Sequence, residues 1–333
     1  MPYSVKEETL QSLQHYCRDE GRLLIWPVIF TLPVWIGNWW EHFGLEKYQL
    51  LIRSVWMGDE LIGIAPLMRD GAAARLIGSA DVCDYLDFVT ASGRESDFFA
   101  ALLPALAAEG IEVLELESQR PEAAVFKGFF AGSAIKGSQG RFTLENESSE
   151  IILADEWEDY LMQLNKKQRH EVRRKLRKLE NETVSNRFRV SGEVQGDSES
   201  SLTRFTPQFI DLFLENPEKA DFLTDKMKKY FHGLITATAA AGLARFGLLE
   251  IDGEPAAAVL FFSYDGRIYL YNSGYRSDYS NLSAGLLSKV LCIKDSIERG
   301  RQVFDFLKGP EIYKSRLGGV TIPIYKVTLQ ITQ

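Results

Sequence analysis

The stretch ARFGLLEIDGEPAAAVLFFSYDGRIYLYNSGY constrains the fold more than any other part of this chain. Its three apolar runs are separated by Asp252-Gly253 and Asp265-Gly266. Asp-Gly is a pair that two-residue hairpin turns favour, because their central positions require positive φ. The spacing predicts a three-stranded antiparallel meander. A helix from about Ser283 to Arg299 follows and is stopped by Gly300; then come strand VFDFL, a short helix and a final strand, TIPIYKVTL. The first half offers a looser version of this order. KYQLLIRSVWMGDELIGIAPLMRD reads as a hairpin turning at Gly58-Asp59, SDFFAALLPALAAEG as a helix stopped by Gly110, and IEVLELES as the strand after it. No repeat is visible in the sequence, so two related α/β units side by side is an expectation of topology.

Charge divides the chain in the same place. Residues 1–150 carry 12 Lys/Arg against 22 Asp/Glu, a net of −10, whereas residues 151–333 carry 26 against 24. The shift coincides with Ser138-Gln139-Gly140 and Asn146-Glu147-Ser148-Ser149, which read as loop chemistry. The expected domains are therefore 1–150 and 151–333. With 333 residues, 45% of them apolar, there is material for two sizeable cores.

Other classes are excluded by what is missing. Cys17, Cys83 and Cys292 form no CxxC pair, which points to a reducing, cytoplasmic setting. His15, His42, His170 and His232 have no metal-ligand spacing, so no metal is expected. The N-terminus lacks the order of a signal peptide. Leu23 to Trp40 is uncharged, but Pro27 would break a spanning helix. The run reads instead as a strand, LLIWPVIF, followed by a helix starting near Pro33, with no transmembrane segment. GxGxxG, GxxxxGK[ST] and GxSxG are all absent.

Four segments could carry chemistry. The helix starting at Ser283-Ala284-Gly285 presents unpaired N–H groups and a positive dipole end, suited to a pyrophosphate; the plainer reading is a capping serine and a packing glycine. DFLKGPEIYKSRLGG gathers Asp305, Lys308, Glu311, Tyr313, Lys314 and Arg316 at a strand end, where a tyrosine can serve as general acid; it also suits a solvated turn. KKQRHEVRRKLRK holds eight Lys/Arg in thirteen residues against Glu171 alone. On a helix, Val172, Leu176 and Leu179 form its core stripe. The rest, including Lys166, Lys167, Arg169, Arg173, Arg174 and Arg177, forms a basic patch for tRNA, acidic lipid or a phosphorylated acceptor, or for docking on the acidic first half. SADVCDYLDFV reads as a strand with Tyr85 and Asp87 on one face and Asp84 on the other. It either positions an acceptor or makes a strand-end turn.

Together these pieces resemble the CelD/BcsL-type members of the GNAT superfamily, related to the FemABX peptidyl transferases. The carriers are PVWIGNWWEHFG, ELIGIAPL, DYLDF, KKQRHEVRRKLRKLE, YNSGY, the SAGLL helix start and DFLKGPEIYKSRLGG, spread from about Pro33 to Tyr325. The resemblance implies an α/β (α+β) fold of two tandem GNAT-like domains, each a mixed, mostly antiparallel sheet flanked by helices, with the second better formed. It implies acyl transfer from acyl-CoA (acetyl-CoA) to an amine or hydroxyl of a small-molecule, glycan or peptide acceptor, in polysaccharide or envelope synthesis.

Carried over, the splayed strand runs from Tyr269 to Gly274 and offers Asn272, Ser273 and Gly274 to the donor. Asn281, Ser283, Ala284 and Gly285 form the pyrophosphate cradle. Tyr313, with Asp305 and Lys314, is catalytic; Asp84, Tyr85 and Lys308 meet the substrate. The loop here is SNLSAG, which departs from the family's [QR]xxGxG[AG] pattern. An aminoacyl-tRNA-dependent transferase of the FemX kind and a catalytically silent scaffold therefore stand as alternatives.

Overall fold

A computed structural model describes residues 3–19, 23–131, 138–191, 198–215 and 223–331. In chain order the first part contains β1 (Tyr3–Glu7), α1 (Leu10–Arg18), β2 (Leu24–Ile25), α2 (Pro33–Trp39), β3 (Gln49–Met57), β4 (Glu60–Asp70), β5 (Ala73–Leu76), β6 (Val89–Ala91), α3 (Glu95–Ala108), β7 (Val113–Gln119) and β8 (Ser138–Ile152). The second part contains α4 (Trp157–Gln163), α5 (Lys166–Glu182), β9 (Asn186–Val190), α6 (Ser198–Leu214), α7 (Asp225–Ala240), β10 (Ala244–Ile251), β11 (Glu254–Tyr264), β12 (Arg267–Tyr275), α8 (Ala284–Glu298), β13 (Val303–Lys308), α9 (Ile312–Arg316) and β14 (Val320–Ile331). Among the described residues no helix is long and apolar enough to cross a membrane.

The chain divides into two compact units, one of Met1–Glu147 with Ile322–Gln333, the other of Ser148–Thr321. The division within the sequence falls close to residue 150, but the last strand joins the first unit, where the sequence had suggested the second. It pairs antiparallel with β7 from Tyr325↔Gln119 to Gln330↔Val113. The supposed loops at 138–140 and 146–149 are both strand, inside β8. Most of its side chains up to Glu145 face solvent, so a strand there carries the polar composition of a loop.

Unit 1 is built on the β3–β4 hairpin, whose turn is the expected Gly58-Asp59, with Gly58 at φ +62°. β1 pairs with β3, β5 with β4, and β5 runs parallel to β7 over Ala73↔Val113 to Arg75↔Glu115. The uncharged run near the N-terminus gives only the two-residue β2, a 3-10 turn at Ile29–Thr31, and then α2, starting at Pro33 as read. Pro27 and the buried aromatics around it suit irregular core packing better than a ladder. The alternation in 81–89 likewise yields no strand before Val89. The Asp87 carboxylate accepts the Phe88 and Ala124 amides at 2.8 and 3.0 Å, which holds this stretch as a loop.

Unit 2 contains the meander. β10, β11 and β12 pair antiparallel. Both Asp-Gly turns have positive φ at both residues (52° and 87°, then 48° and 70°), the geometry that selected them. β9 extends the sheet beyond β10, and β13 and the end of β8 continue it beyond β12. The core lies between this sheet and α8, with Leu287, Val290, Ile293 and Ile297 packed against Val259, Phe261, Ile268 and Phe304. Val172 and Leu179 of α5 join that core and Leu176 packs against it, as the stripe predicted.

Candidate active site

The site begins with a defect in β12. This strand runs parallel to β13 over three pairs only, Arg267↔Val303, Ile268↔Phe304 and Tyr269↔Asp305. On its other edge the register with β11 slips between Leu270↔Phe261 and Asn272↔Leu260, leaving Tyr271 as the extra residue of a bulge. A bulge bends its strand and sharpens the local twist. β12 therefore separates from β13 just past their last pair, and among the described residues Leu270 to Tyr275 have no strand partner on that side. Tyr271 is anchored by Phe262 and Phe231, with ring centroids 5.3 and 6.0 Å away.

α8 begins beside this open edge in the sequence. Ser283 takes a left-handed conformation, φ +59°, and caps the helix through no side-chain bond; its carbonyl accepts the Leu286 and Leu287 amides. The Ala284 and Gly285 amides have no carbonyl one turn back in the helix to bind. No acid lies in the first turn. Instead, α5 brings two cations to the preceding loop: Lys175 donates to Ser283 Oγ at 2.5 Å and Lys178 to the Asn281 carbonyl at 3.0 Å. Orphaned amides, a positive dipole end and two ammonium groups fit a pyrophosphate.

The glycines of this region have packing tasks. A Cβ on Gly285 would lie 2.6 Å from the Tyr275 ring, and one on Gly274 would lie 2.4 Å from the Leu212 backbone. Gly274 thus admits α6 against β12, which corrects its assignment as a donor contact. Asn272 and Ser273, half-buried, remain on the open strand segment.

At the end of β13 the expected catalytic cluster separates into different roles. Asp305 is fully buried. Its Oδ1 accepts the Leu307 amide at 2.8 Å, and Oδ2 lies 3.2 Å from Arg267, which also binds Glu150. Leu307 has φ +62°, so Asp305 holds a strained turn together. Lys314 is also buried, with Nζ donating to the carbonyls of Leu307, Lys308 and Gly309 at 3.0, 2.6 and 3.0 Å and pairing with Glu311 at 2.9 Å. An ammonium engaged in this way positions the β13–α9 loop and is held away from any substrate by its own partners. Both residues are corrected from catalysis to positioning.

Tyr313 differs. Its ring packs edge-on against Phe306, its hydroxyl has no hydrogen-bond partner among the described residues, and burial pushes the phenol above its ordinary value. It stays protonated at neutral pH, as an acid must. Lys289, a residue the sequence reading missed, lies 5.1 Å over the Tyr313 ring and donates to the Gly285 carbonyl at 2.8 Å. One buried cation thus spans the helix start and the tyrosine. Its position four residues after Gly285 was the available signal.

The basic helix is only partly neutralised. Glu171 binds Arg174 and Lys175, and the Arg174 guanidinium holds its carboxyl down at about 2. Arg173 binds Glu158 at 2.5 Å. Lys166, Lys167, Arg169 and Arg177 have no carboxylate partner among the described residues. A groove of about 560 Å³ lies between α4 and α5, lined by Trp157, Leu161, Arg169, Arg173, Leu176 and Arg177 among others.

The remaining substrate candidates divide between the units. Tyr85, in unit 1, is 1% exposed, with its ring against Phe30 and the Arg120 guanidinium 4.8 Å above it. It is a core residue, which corrects its assignment to substrate. Asp84 is half-buried in the same loop. Lys308 is half-buried at the end of β13 in unit 2.

Residues 166–315, from the first residue of α5 into α9, match the family model described as an acetyltransferase (GNAT) domain. Among solved structures, FemX is similar with a TM-score of 0.61 at 12% identity, over 97% of this chain and 96% of that one. The C-terminal domain of a putative lysylphosphatidylglycerol synthetase from Agrobacterium fabrum gives 0.55 at 10% identity, over 87% and 86%. L-PGS from Bacillus licheniformis gives 0.50 at 14%, over 88% and 90%. No curated protein matches the chain in sequence. At these identities the likeness to solved structures is one of fold: mixed, mostly antiparallel sheets flanked by helices.

Proposed function

We propose that unit 2 is an acyltransferase that takes its acyl group from acyl-CoA and passes it to an amine or hydroxyl. The observation that carries this reading is the unpaired edge of β12 beyond Tyr269, followed in the chain by a helix start free of acids. A thioester supplies an activated acyl carbon and a thiolate leaving group. Backbone N–H groups of Leu270 to Ser273 on the open edge act as donors where negative charge gathers on the carbonyl oxygen. The Ala284 and Gly285 amides, with Lys175 and Lys178 behind them, hold the phosphates. Tyr313 gives its proton to the departing sulfur and regains one from the acceptor nitrogen or oxygen, through water, as the new acyl bond forms; Lys289, Phe306 and Lys314 fix its place. Lys308, at the end of β13 in the same unit, is retained as an acceptor contact.

The resemblance to CelD/BcsL-type proteins favours a glycan or other envelope acceptor. A second reading, with an aminoacyl ester on tRNA as donor, is favoured by the unpaired cations of α5. Calorimetric titration with acetyl-CoA and a longer acyl-CoA tests the first reading. Micromolar binding supports it. Binding of neither, together with salt-dependent binding of tRNA, moves the donor to the aminoacyl ester. Binding of none of them leaves a silent scaffold.

A further inference from the structure

Along one edge of unit 2, the turn between α4 and α5 lies beside α9. The Gln168 amide donates to the Ser315 carbonyl at 3.1 Å, and Arg169 contacts the Met162 sulfur at 3.3 Å. On this edge Met162 is 63% exposed and Ile312 66% exposed, two large apolar side chains left mostly open by the described residues. Close to them along the chain lie Lys166, Lys167, Arg169 and Arg316, none with a carboxylate partner among the described residues. Glu311, the acid nearest Ile312 in sequence, is taken by Lys314. Exposed aliphatic groups set among unneutralised cations are the chemistry of a surface that rests on anionic lipid.

A polynucleotide would need the same charges but would use flat rings to stack bases, and this edge offers a thioether and an isoleucine. Of the two aromatics on α4, Tyr160 is fully buried and Trp157 is half-buried at the other end of that helix, beside Glu158. Long basic side chains reach headgroup phosphates while Met162 and Ile312 enter the boundary of the acyl chains.

We propose that this edge docks unit 2 on an anionic membrane surface, with Lys166, Lys167, Arg169 and Arg316 on the phosphates and Met162 and Ile312 inserted. Ile312 immediately precedes Tyr313 in α9, so docking here brings the proposed acid beside the bilayer. This consequence rests on the transferase reading and identifies the acceptor as a membrane-borne amine or hydroxyl. Docking itself does not rest on that reading.

The test is co-sedimentation of the full chain with vesicles of phosphatidylglycerol and phosphatidylcholine, against pure phosphatidylcholine and against a labelled oligouridylate. The expected result is binding to the anionic vesicles that weakens as salt rises. Neutralising two cations, Lys166→Ala with Arg169→Ala, is expected to lower partitioning about 30-fold, at about a fivefold loss per cation. Met162→Gln with Ile312→Gln is expected to lower it about tenfold or more. All six side chains are at the surface or rim, and unchanged thermal melting of each variant shows that folding is intact.

No preference for anionic vesicles overturns the proposal, as does binding unaffected by both pairs of changes. Oligouridylate binding that Lys166→Ala with Arg169→Ala abolishes, without vesicle binding, assigns the edge to nucleic acid and also overturns it. Vesicles contain no acyl donor, so a failed acyl-CoA titration leaves this result standing, and the reverse holds as well.

Discussion

The two units repeat one motif and finish it differently. In each, a helix leads into a strand that pairs parallel over three residues: α3 into β7 against β5, and α8 into β13 against β12. Each helix is followed by a glycine at positive φ, Gly110 or Gly300. Each final strand has one non-glycine residue at φ +62° near its end, Ser118 or Leu307, whose amide a carboxylate accepts: Glu145 in unit 1 and Asp305 in unit 2.

The differences lie where a donor would bind. β5 stops one residue past its last parallel pair, so no open edge remains, whereas β12 continues for six residues. α3 opens with Glu95 and Asp97 in its first turn, and those carboxylates neutralise the dipole end an anion would use. α8 has no acid there and has Lys175 and Lys178 at the loop before it. The same framework can thus serve as scaffold or as site, and a strand extension and two charges decide between them.

The sharpest way to break this contrast is at Tyr313, for which the described part of unit 1 offers no equivalent at the end of β7. Tyr313→Phe is expected to lower turnover by about 10²–10⁴-fold with donor affinity nearly unchanged, measured by steady-state kinetics alongside calorimetry. Because burial holds the phenol up, wild-type activity should not fall across the neutral range through loss of this proton.

Next is the cost of the two strained strand ends. Lys314→Met leaves three carbonyls without their donor and is expected to destabilise unit 2 by about 2–4 kcal/mol. Glu145→Ala removes one acceptor from Ser118 in unit 1 and should cost about 1–2 kcal/mol. Denaturant unfolding resolves the two values.

Asp87 gives unit 1 a pH dependence of its own. Burial raises its carboxyl to about 7. The folded state then binds the proton over a range in which the unfolded chain has lost it. Stability is accordingly greatest at low pH and falls as pH rises from about 4 through 7. Between pH 5 and 7 the loss is about 2 kcal/mol. Asp87→Asn keeps an acceptor for Phe88 and Ala124, and thermal melting of this variant should show a flatter profile over that window.

Much of unit 2 was legible because its signals are local. Asp-Gly turns, the stop at Gly300 and the stripe of Val172, Leu176 and Leu179 each depend on residues a few positions apart. What was not legible depends on distant partners. β8 is polar because its side chains face solvent, and helices α6 and α7 went unread. Lys314 looks like a catalytic lysine until three carbonyls seven or fewer residues away are seen to surround it. Gly274 looks like a ligand contact until α6 is found against it. The bulge at Tyr271, on which the proposed site rests, follows from a register with β11 that no single-strand pattern encodes.

The central claim is that unit 2 holds the donor because its helix start is free of acid where that of unit 1 is not. Ser283→Asp tests it directly, since aspartate tolerates the left-handed conformation and can still meet Lys175. Titration of acetyl-CoA into wild type and Ser283→Asp should give micromolar binding at one site per chain in the first. The second should bind at least about tenfold more weakly, with no loss of thermal stability. Equal affinity in the two proteins, or two sites per chain, would contradict the account.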